Sequence, residues 1–153
     1  MLIEVVSIIV TSISILVTVW ALIKESRSKE EVVKLRSFLA FKRLEEFAVK
    51  YRNEYKSYSD RVERPKWKEV VQGRDIVGNL DAVLTEFNTY LPQMEYHTKQ
   101  SLIRSIDDAK KGFVKVRKGD EIARDINIQQ LNNIDRILNA EISLQRNNFV
   151  DLF

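Results

Sequence analysis

The feature that most constrains this chain is an uncharged run of 19 residues near its start, from Val5 to Ile23. Val, Ile and Leu dominate the run, and as a helix rising ~1.5 Å per residue it is about 28 Å long, close to the hydrocarbon thickness of a bilayer. Trp20 lies near its end, where an indole favours the membrane interface. We therefore predict a transmembrane helix over residues 1–23. A cleaved secretory signal is the alternative, but the run has no basic lead-in and no small-residue cleavage site.

Positive charge on one side of the run predicts its orientation. Lys24, Arg27 and Lys29 follow the run, and all 25 Lys and Arg residues of the chain lie after Ile23. Because basic flanks stay in the cytoplasm, we expect the N-terminus outside and a cytoplasmic domain after the membrane segment. The chain has no cysteine, which excludes disulfides and thiolate metal sites and suits a reducing compartment.

Polar residues in and just before the run fall on one side of the predicted helix. Their spacing of 3, 4, 3 and 4 residues places them on a single stripe. Small polar residues permit close approach of helices in lipid, so the stripe predicts a homo-oligomer, and in a narrower interpretation it lines a pore. The alternative is that the hydroxyl groups bond back to their own helix. The members of this polar stripe are Glu4, Ser7, Thr11, Ser14 and Thr18.

The rest of the chain is predicted to be mostly α-helical, because apolar residues recur at helical spacing in four segments. We expect an amphipathic linker and oligomerisation helix over residues 24–60, and a helical ligand- or partner-binding domain over residues 61–153 that begins near Pro65. The predicted helices cover about 28–58, 74–91, 93–113 and 120–147, with Asp120 as the N-cap of the last. A short extended segment is predicted near 113–118, followed by a turn at Gly119.

Each predicted helix carries an apolar stripe that we expect to face a core. The last helix carries two stripes on opposite sides, so it is predicted to be central or to lie at a subunit interface. The first helix starts one stripe with Val32, Leu35 and Leu39 and continues another with Phe41, Leu44, Ala48, Tyr51, Tyr55 and Tyr58. The stripes of the next two helices are Ile76, Leu80, Val83, Leu84, Phe87 and Leu91, and Leu102, Ile106, Ala109 and Phe113. Those of the last helix are Ile128, Leu131, Ile134, Leu138 and Ile142, and on the other side Ile122, Ile126, Ile137 and Leu144.

Signatures of catalysis are missing from the sequence. The four glycines are scattered singly, so no phosphate-binding loop is present. His97 is the only histidine, and acid pairs such as Asp107 and Asp108 splay apart on a helix instead of converging on a metal. We therefore predict a protein that is not an enzyme and uses no metal or cofactor.

The strongest candidate binding feature is a basic cluster of five positive charges in nine residues, with no acid among them. Such a cluster favours an anionic ligand, anionic lipid headgroups, or simply a solvated surface. The last helix is also rich in Asn and Gln, whose amides match the edge of adenine, although a polar face for subunit contacts is the alternative. Trp67 lies among basic residues and is expected to be buried rather than stacked on a base. The basic cluster consists of Lys110, Lys111, Lys115, Arg117 and Lys118, to which the next helix adds Arg124.

This layout resembles the small ancillary membrane effectors of type III CRISPR systems. The resemblance rests on the N-terminal run with its polar stripe, the missing catalytic motifs and the basic helices that follow. It implies an antiviral tetramer at a bacterial inner (plasma) membrane that binds a cyclic oligoadenylate and perturbs the lipid bilayer or opens a pore in it. We expect no binding to duplex nucleic acid. The alternative is a non-enzymatic adaptor that recruits a cytoplasmic protein through the tyrosine stripe or the apolar tail Phe149–Phe153.

Overall fold

The computed structural model describes the backbone of residues 2–73 and 76–150, and the side chains of residues 14–71 and 76–148. Within these ranges the chain forms five α-helices and two short 3₁₀ helices, and no β-strand. It divides into two compact units, one ending at Leu39 and the other beginning at Ala40. The α-helices are α1 (Leu2–Val62), α2 (Trp67–Gly73), α3 (Ile76–Glu86), α4 (Tyr96–Arg117) and α5 (Glu121–Val150), and the 3₁₀ helices cover Phe87–Thr89 and Leu91–Gln93.

The mostly helical fold is confirmed, but the predicted transmembrane helix is not. Among the residues that the structure describes, no helix is both long enough and apolar enough to cross a bilayer. The side chains described for the apolar run extend only from Ser14 to Ile23, about 15 Å of helix, and Lys24 then begins a charged stretch through which α1 continues. The prediction of a transmembrane helix over residues 1–23 is therefore wrong for the described part of the chain. The side chains of residues 1–13 lie outside that part.

The second unit is a helical bundle in which α4 and α5 form an antiparallel pair. The amide of Asn127 donates to the backbone carbonyl of Ala109 at 2.7 Å, and the amide of Asn133 donates to the hydroxyl of Ser105 at 3.1 Å. These contacts pair rising residue numbers on α5 with falling numbers on α4, as an antiparallel hairpin requires. The buried face of each helix therefore lies against the other over most of its length.

The part of α1 in this unit packs against α5 and the first 3₁₀ helix through aromatic side chains. The hydroxyl of Tyr51 donates to the backbone carbonyl of Leu131 at 2.7 Å. The rings of Phe47 and Tyr51 meet the ring of Phe87 edge-on, with centroids 4.7 and 5.5 Å apart. Edge-to-face aromatic pairs add to the stabilisation from apolar burial, so this cluster ties the end of α1 to the segment after α3.

The predicted core stripes are confirmed, with two exceptions. The stripe from Phe41 to Tyr58 and the stripes of the next two helices are buried, apart from the partly buried Tyr55 and Ile106. The first stripe of α5 is buried in the same way, with Ile128 partly buried. One exception is the stripe Val32, Leu35 and Leu39 at the start of the first predicted helix, whose side chains are 44 to 57% exposed. The other is the second stripe of α5, because Ile122, Ile126 and Leu144 are exposed and only Ile137 packs against the core. In this single chain α5 therefore buries one side and leaves most of the other open.

The extended segment predicted near 113–118 is wrong, because α4 remains helical through Arg117. Phe113 and Val116 are three residues apart and both buried, whereas Val114 between them is exposed, so the pattern follows a helix and not a strand. The turn predicted at Gly119 is confirmed, since its φ of 82° lies in the left-handed region that glycine adopts without strain.

The predicted N-cap of α5 is confirmed, because the carboxylate of Asp120 accepts a hydrogen bond from the backbone N–H of Ala123 at 3.0 Å. We expect Asp120→Ala to lower the free energy of unfolding by about 1 kcal/mol, since it leaves that N–H without its cap. Urea unfolding followed by circular dichroism measures the loss. Asp108→Ala, an exposed carboxylate within α4, is the matched control, and an equal loss in both variants contradicts the capping role.

Candidate functional site

The described end of the apolar run, residues 14–23, exposes large apolar side chains to an unusual extent. Seven of these ten residues are large and apolar, with 48 to 68% of their surface accessible. Monomeric proteins in water seldom expose so contiguous an apolar surface unless it meets a membrane or another molecule. We call residues 14–23 the apolar segment. Its exposed members are Ile15, Leu16, Val17, Val19, Trp20, Leu22 and Ile23.

The polar stripe predicted along this helix is described only in part. The side chains of Glu4, Ser7 and Thr11 lie outside the described residues. Within the apolar segment, the hydroxyl of Thr18 donates to the backbone carbonyl of Ser14 at 2.8 Å. A threonine that donates to the carbonyl four residues earlier satisfies its hydroxyl within its own helix. The hydroxyl of Thr18 therefore follows the alternative stated above, in which the hydroxyl groups bond back to their own helix.

Two basic residues, Lys24 and Arg27, follow the apolar segment directly. They do not form the ion pairs that the next two basic residues, Lys29 and Lys34, form with carboxylates. The ammonium Nζ of Lys24 lies 5.2 Å from the centre of the Trp20 ring, within the range of a cation–π interaction. Lys24 and Arg27 line one shallow recess together with Trp20. Further along α1, Lys29 and Lys34 pair with Glu25 and Glu30 at 2.8 and 3.2 Å. No carboxylate in the described part of the chain pairs with Lys24 or Arg27.

The basic cluster predicted in α4 does not form one continuous positive surface. Lys110 points to α3, where its Nζ lies 2.6 Å from the hydroxyl of Thr85 and 3.4 Å from the carboxylate of Asp81. Lys111 pairs with Asp107 one turn earlier, and this contact raises the pKa of the lysine. These two cations are thus already compensated by acids that lie outside the nine-residue cluster.

The remaining cations of the basic cluster differ in their partners and in their exposure. Arg124 pairs with Asp125 at 2.7 Å, and its guanidinium lies 5.3 Å from the centre of the buried Trp67 ring. Arg117 also has an interaction partner, whereas Lys115 and Lys118 are exposed at the end of α4. Cations at a helix C-terminus stabilise the helix dipole, which gives these lysines a structural role without any ligand.

Four Asn and Gln side chains of α5 form hydrogen bonds with other groups of the chain. Asn127 is buried, and Asn133 reaches Ser105 on α4. Asn139 accepts a hydrogen bond from Arg52 at 2.6 Å, and Gln145 donates to the Glu141 carboxylate at 2.7 Å. Asn127, Asn133 and Asn139 therefore bond α5 to neighbouring helices, whereas Gln145 bonds within α5 and, at 3.3 Å, to the backbone carbonyl of Gln93. All four amides are engaged within the chain and not presented for the edge of a base.

Comparison with known proteins gives no family. No protein-family model, curated protein or solved structure matches this chain. In the described part of the chain no group of three or more His, Asp or Glu side chains is arranged to hold a metal ion, and His97 is an exposed residue whose ring contacts that of Tyr96.

Sequence reasoning missed a buried polar network at the centre of the bundle. The hydroxyl of Tyr58 donates to the amide oxygen of Asn127 at 2.8 Å, and the same amide donates to Ala109. A Cβ added at Gly112 would lie 2.5 Å from the amide nitrogen of Asn127, so α4 approaches α5 closely only because residue 112 has no side chain. An isolated glycine inside a helical pattern was the available signal.

A buried carboxylate was also missed. Glu141 is 3% exposed, and its Oε1 accepts hydrogen bonds from Gln145 and, at 3.4 Å, from the backbone N–H of Glu95. Glu95 directly precedes α4 and makes no side-chain cap of its own. A carboxylate from α5 therefore lies at the positive end of the α4 dipole, where negative charge is stabilising.

Proposed function

We propose that this chain is a non-enzymatic, membrane-attached protein whose apolar segment inserts into the surface of a lipid bilayer and holds the helical bundle there. The observation that carries the proposal is the exposure of seven large apolar side chains within ten residues. The apolar segment enters one face of the bilayer and does not cross it.

The arrangement of these side chains around the helix favours lipid over a single protein partner. At 100° per residue, the seven side chains spread over an arc of about 220°. A helix that packs on one neighbour needs an apolar stripe of only about 100°. The remaining arc carries Ser14, Thr18 and Ala21, small residues of the kind that let a second copy of the helix approach closely in lipid. The wide apolar arc is therefore suited to contact with lipid. The narrow arc of small residues is suited to contact with a second copy of the helix.

The apolar surface is large enough to provide stable attachment. Fully burying one large apolar side chain is worth about 1.5–3 kcal/mol, so seven half-exposed side chains contribute on the order of 10 kcal/mol. A single myristoyl chain, which gives only reversible binding, corresponds to an association constant of roughly 10⁴ M⁻¹. We therefore expect attachment well beyond that of one acyl chain.

The test is flotation of the full chain with preformed phosphatidylcholine vesicles after dilution from detergent. We expect the wild-type chain to float and Leu16→Lys/Val19→Lys/Leu22→Lys to lose at least about a hundredfold in binding, because three charges must then enter an apolar environment. The matched control is Val114→Lys/Ile122→Lys/Ile126→Lys, which makes the same change at three exposed apolar residues of the bundle. A wild-type chain that stays in the dense fraction, or equal loss in both variants, overturns the proposal.

A protein-recruiting adaptor is the second candidate. Of the surfaces expected from the sequence, the first-helix stripe buries Tyr51 and Tyr58, and the side chains of the tail 149–153 lie outside the described residues, so the candidate depends on the exposed side of α5. Ile122 and Ile126 are 74 and 51% exposed and lie one turn apart. Two apolar side chains on an otherwise polar face are suited to anchoring a partner helix. If this function holds, Ile122→Glu/Ile126→Glu should lose one partner that the wild-type chain retains in a pull-down, while vesicle flotation stays unchanged.

A cyclic oligoadenylate as ligand of the bundle stays a prediction. Of the six basic residues named for it, Lys115 and Lys118 are exposed and near each other at the end of α4, whereas Lys110, Lys111 and Arg124 pair with acids. Calorimetry of the full chain in detergent with a panel of cyclic oligoadenylates tests it. Saturable binding that is lost in Lys115→Gln/Lys118→Gln supports this ligand, and no binding across the panel removes it.

A further inference from the structure

We infer that Trp20, Lys24 and Arg27 form a contact site for the phosphate of an anionic phospholipid headgroup. This inference rests on the proposed insertion of the apolar segment and names the lipid class that the segment selects. The three residues are spaced by four and three positions along α1, so they share one face of the helix, and the structure places them around one recess.

Trp20, Lys24 and Arg27 lie at the end of the apolar segment. Trp20 lies three residues before the end of the segment, and Lys24 and Arg27 follow within the next four. When the segment is in lipid, these side chains reach the layer where the acyl chains end and the phosphates begin. Indole rings favour this layer, and Lys and Arg extend into it along their own apolar stems.

In the part of the chain whose side chains are described, no carboxylate forms an ion pair with Lys24 or Arg27. Lys29 and Lys34 each hold a carboxylate one turn earlier on the helix, so their charges are largely neutralised. Lys24 instead lies over the ring of Trp20, which leaves its N–H donors able to bond a phosphate oxygen. The guanidinium of Arg27 presents a planar fork of donors that matches phosphate geometry.

An acid also borders the recess. Glu31 lines it, but it lies one turn beyond Arg27, on the side away from the apolar segment. A phosphate level with Lys24 is therefore separated from this carboxylate by the guanidinium of Arg27. Charge complementarity at the recess thus favours an anion at its apolar end.

The experiment compares flotation of the full chain on vesicles of phosphatidylcholine alone and on vesicles with about a third phosphatidylglycerol. We expect the anionic lipid to strengthen wild-type binding, and Lys24→Gln/Arg27→Gln to lose that gain by about tenfold to thirtyfold, since each surface cation contributes close to fivefold. Lys29→Gln/Lys34→Gln removes the same net charge from the neighbouring ion pairs and is expected to keep most of the gain.

The possible outcomes separate this inference from the proposed function. Equal wild-type binding to both vesicle types overturns the headgroup site and leaves insertion standing, whereas no binding to either overturns insertion itself. Equal losses in the two double variants show a diffuse charge effect and also overturn the site. The difference in emission between the wild-type chain and Trp20→Phe provides a second readout. That difference should shift to shorter wavelength on anionic vesicles, and an unshifted difference spectrum contradicts the placement of Trp20.

Discussion

Gly112→Ala should lower the free energy of unfolding by about 2–4 kcal/mol, even though alanine is the better helix former by ~1 kcal/mol. The added Cβ would lie 2.5 Å from the amide nitrogen of Asn127, far inside contact distance. The amide has no free space to move, because Asn127 is 1% exposed and bonded to both Tyr58 and Ala109. The backbone must therefore shift, or buried hydrogen bonds must break, and each unsatisfied buried group costs about 1–3 kcal/mol.

A double-mutant cycle distinguishes this collision from a general effect of substitution in α4. In the background of Asn127→Ala the amide is absent, so Gly112→Ala should cost at least about 1 kcal/mol less than it does in the wild-type chain. Unfolding by urea in mild detergent, followed by circular dichroism, measures all four variants. Strictly additive losses contradict the proposed contact between Gly112 and Asn127.

Alkaline pH should unfold the bundle through its buried tyrosines. Burial raises the pKa of Tyr51 well above its ordinary value, and the nearby Asp135 and Tyr55 raise it further. Burial likewise raises the pKa of Tyr58, with Arg124 opposing in part. Because the folded-state pKa exceeds the unfolded one, the stabilisation is complete below pH ~10 and declines as the pH rises above that value. Each tyrosine then costs up to ~1.4 kcal/mol per pH unit, so two of them cost about 5 kcal/mol at pH 12.

The measurement is the free energy of unfolding between pH 8 and 12, together with tyrosinate absorbance. Tyr51→Phe is the clean variant, since the acceptor of its hydroxyl is a backbone carbonyl of α5 and the ring is retained. We expect it to lose about 1 kcal/mol at pH 8 and to depend less steeply on pH above 10. The ion pair of Lys50 with Glu86 also weakens in this range, but it does so equally in both proteins. An unchanged slope in Tyr51→Phe contradicts the role of this tyrosine.

Helical periodicity in the sequence was sufficient to predict most of the core. The stripes of α3 and of the first side of α5 repeat at three and four residues, and burial follows them closely. The cap at Asp120 and the turn at Gly119 were predictable because both depend on local backbone chemistry. Local patterns of this kind need no knowledge of the neighbouring helices.

Features that depend on neighbouring helices were not predictable from one sequence. Residues 113–118 alternate between apolar and basic side chains, as a strand would. They are helical because Phe113 and Val116 lie on one helix face and pack in the core. In the sequence, the positive charges at the end of α4 form one cluster. In the fold, Asp81 on α3 pairs with one of them, Lys110. Asn127 and Glu141 have polar side chains that favour the surface. The burial of Asn127 depends on tertiary hydrogen bonds to Tyr58 and Ala109, whereas Glu141, among the described residues, reaches another segment only through the backbone N–H of Glu95. The length of the apolar run alone predicted a transmembrane helix that the described residues do not form.

The single amide of Asn127 has a consequence for how the bundle is aligned. One end of this group bonds α1 through Tyr58, and the other end bonds α4 through Ala109. If α5 slides by one turn along either neighbour, a buried amide loses a partner at a cost of about 1–3 kcal/mol, which a purely apolar seam would not impose. Three helices thus share one longitudinal register, set by a residue that contacts both neighbours at once. Any second packing of this unit would have to disengage α5 from α1 and α4 together.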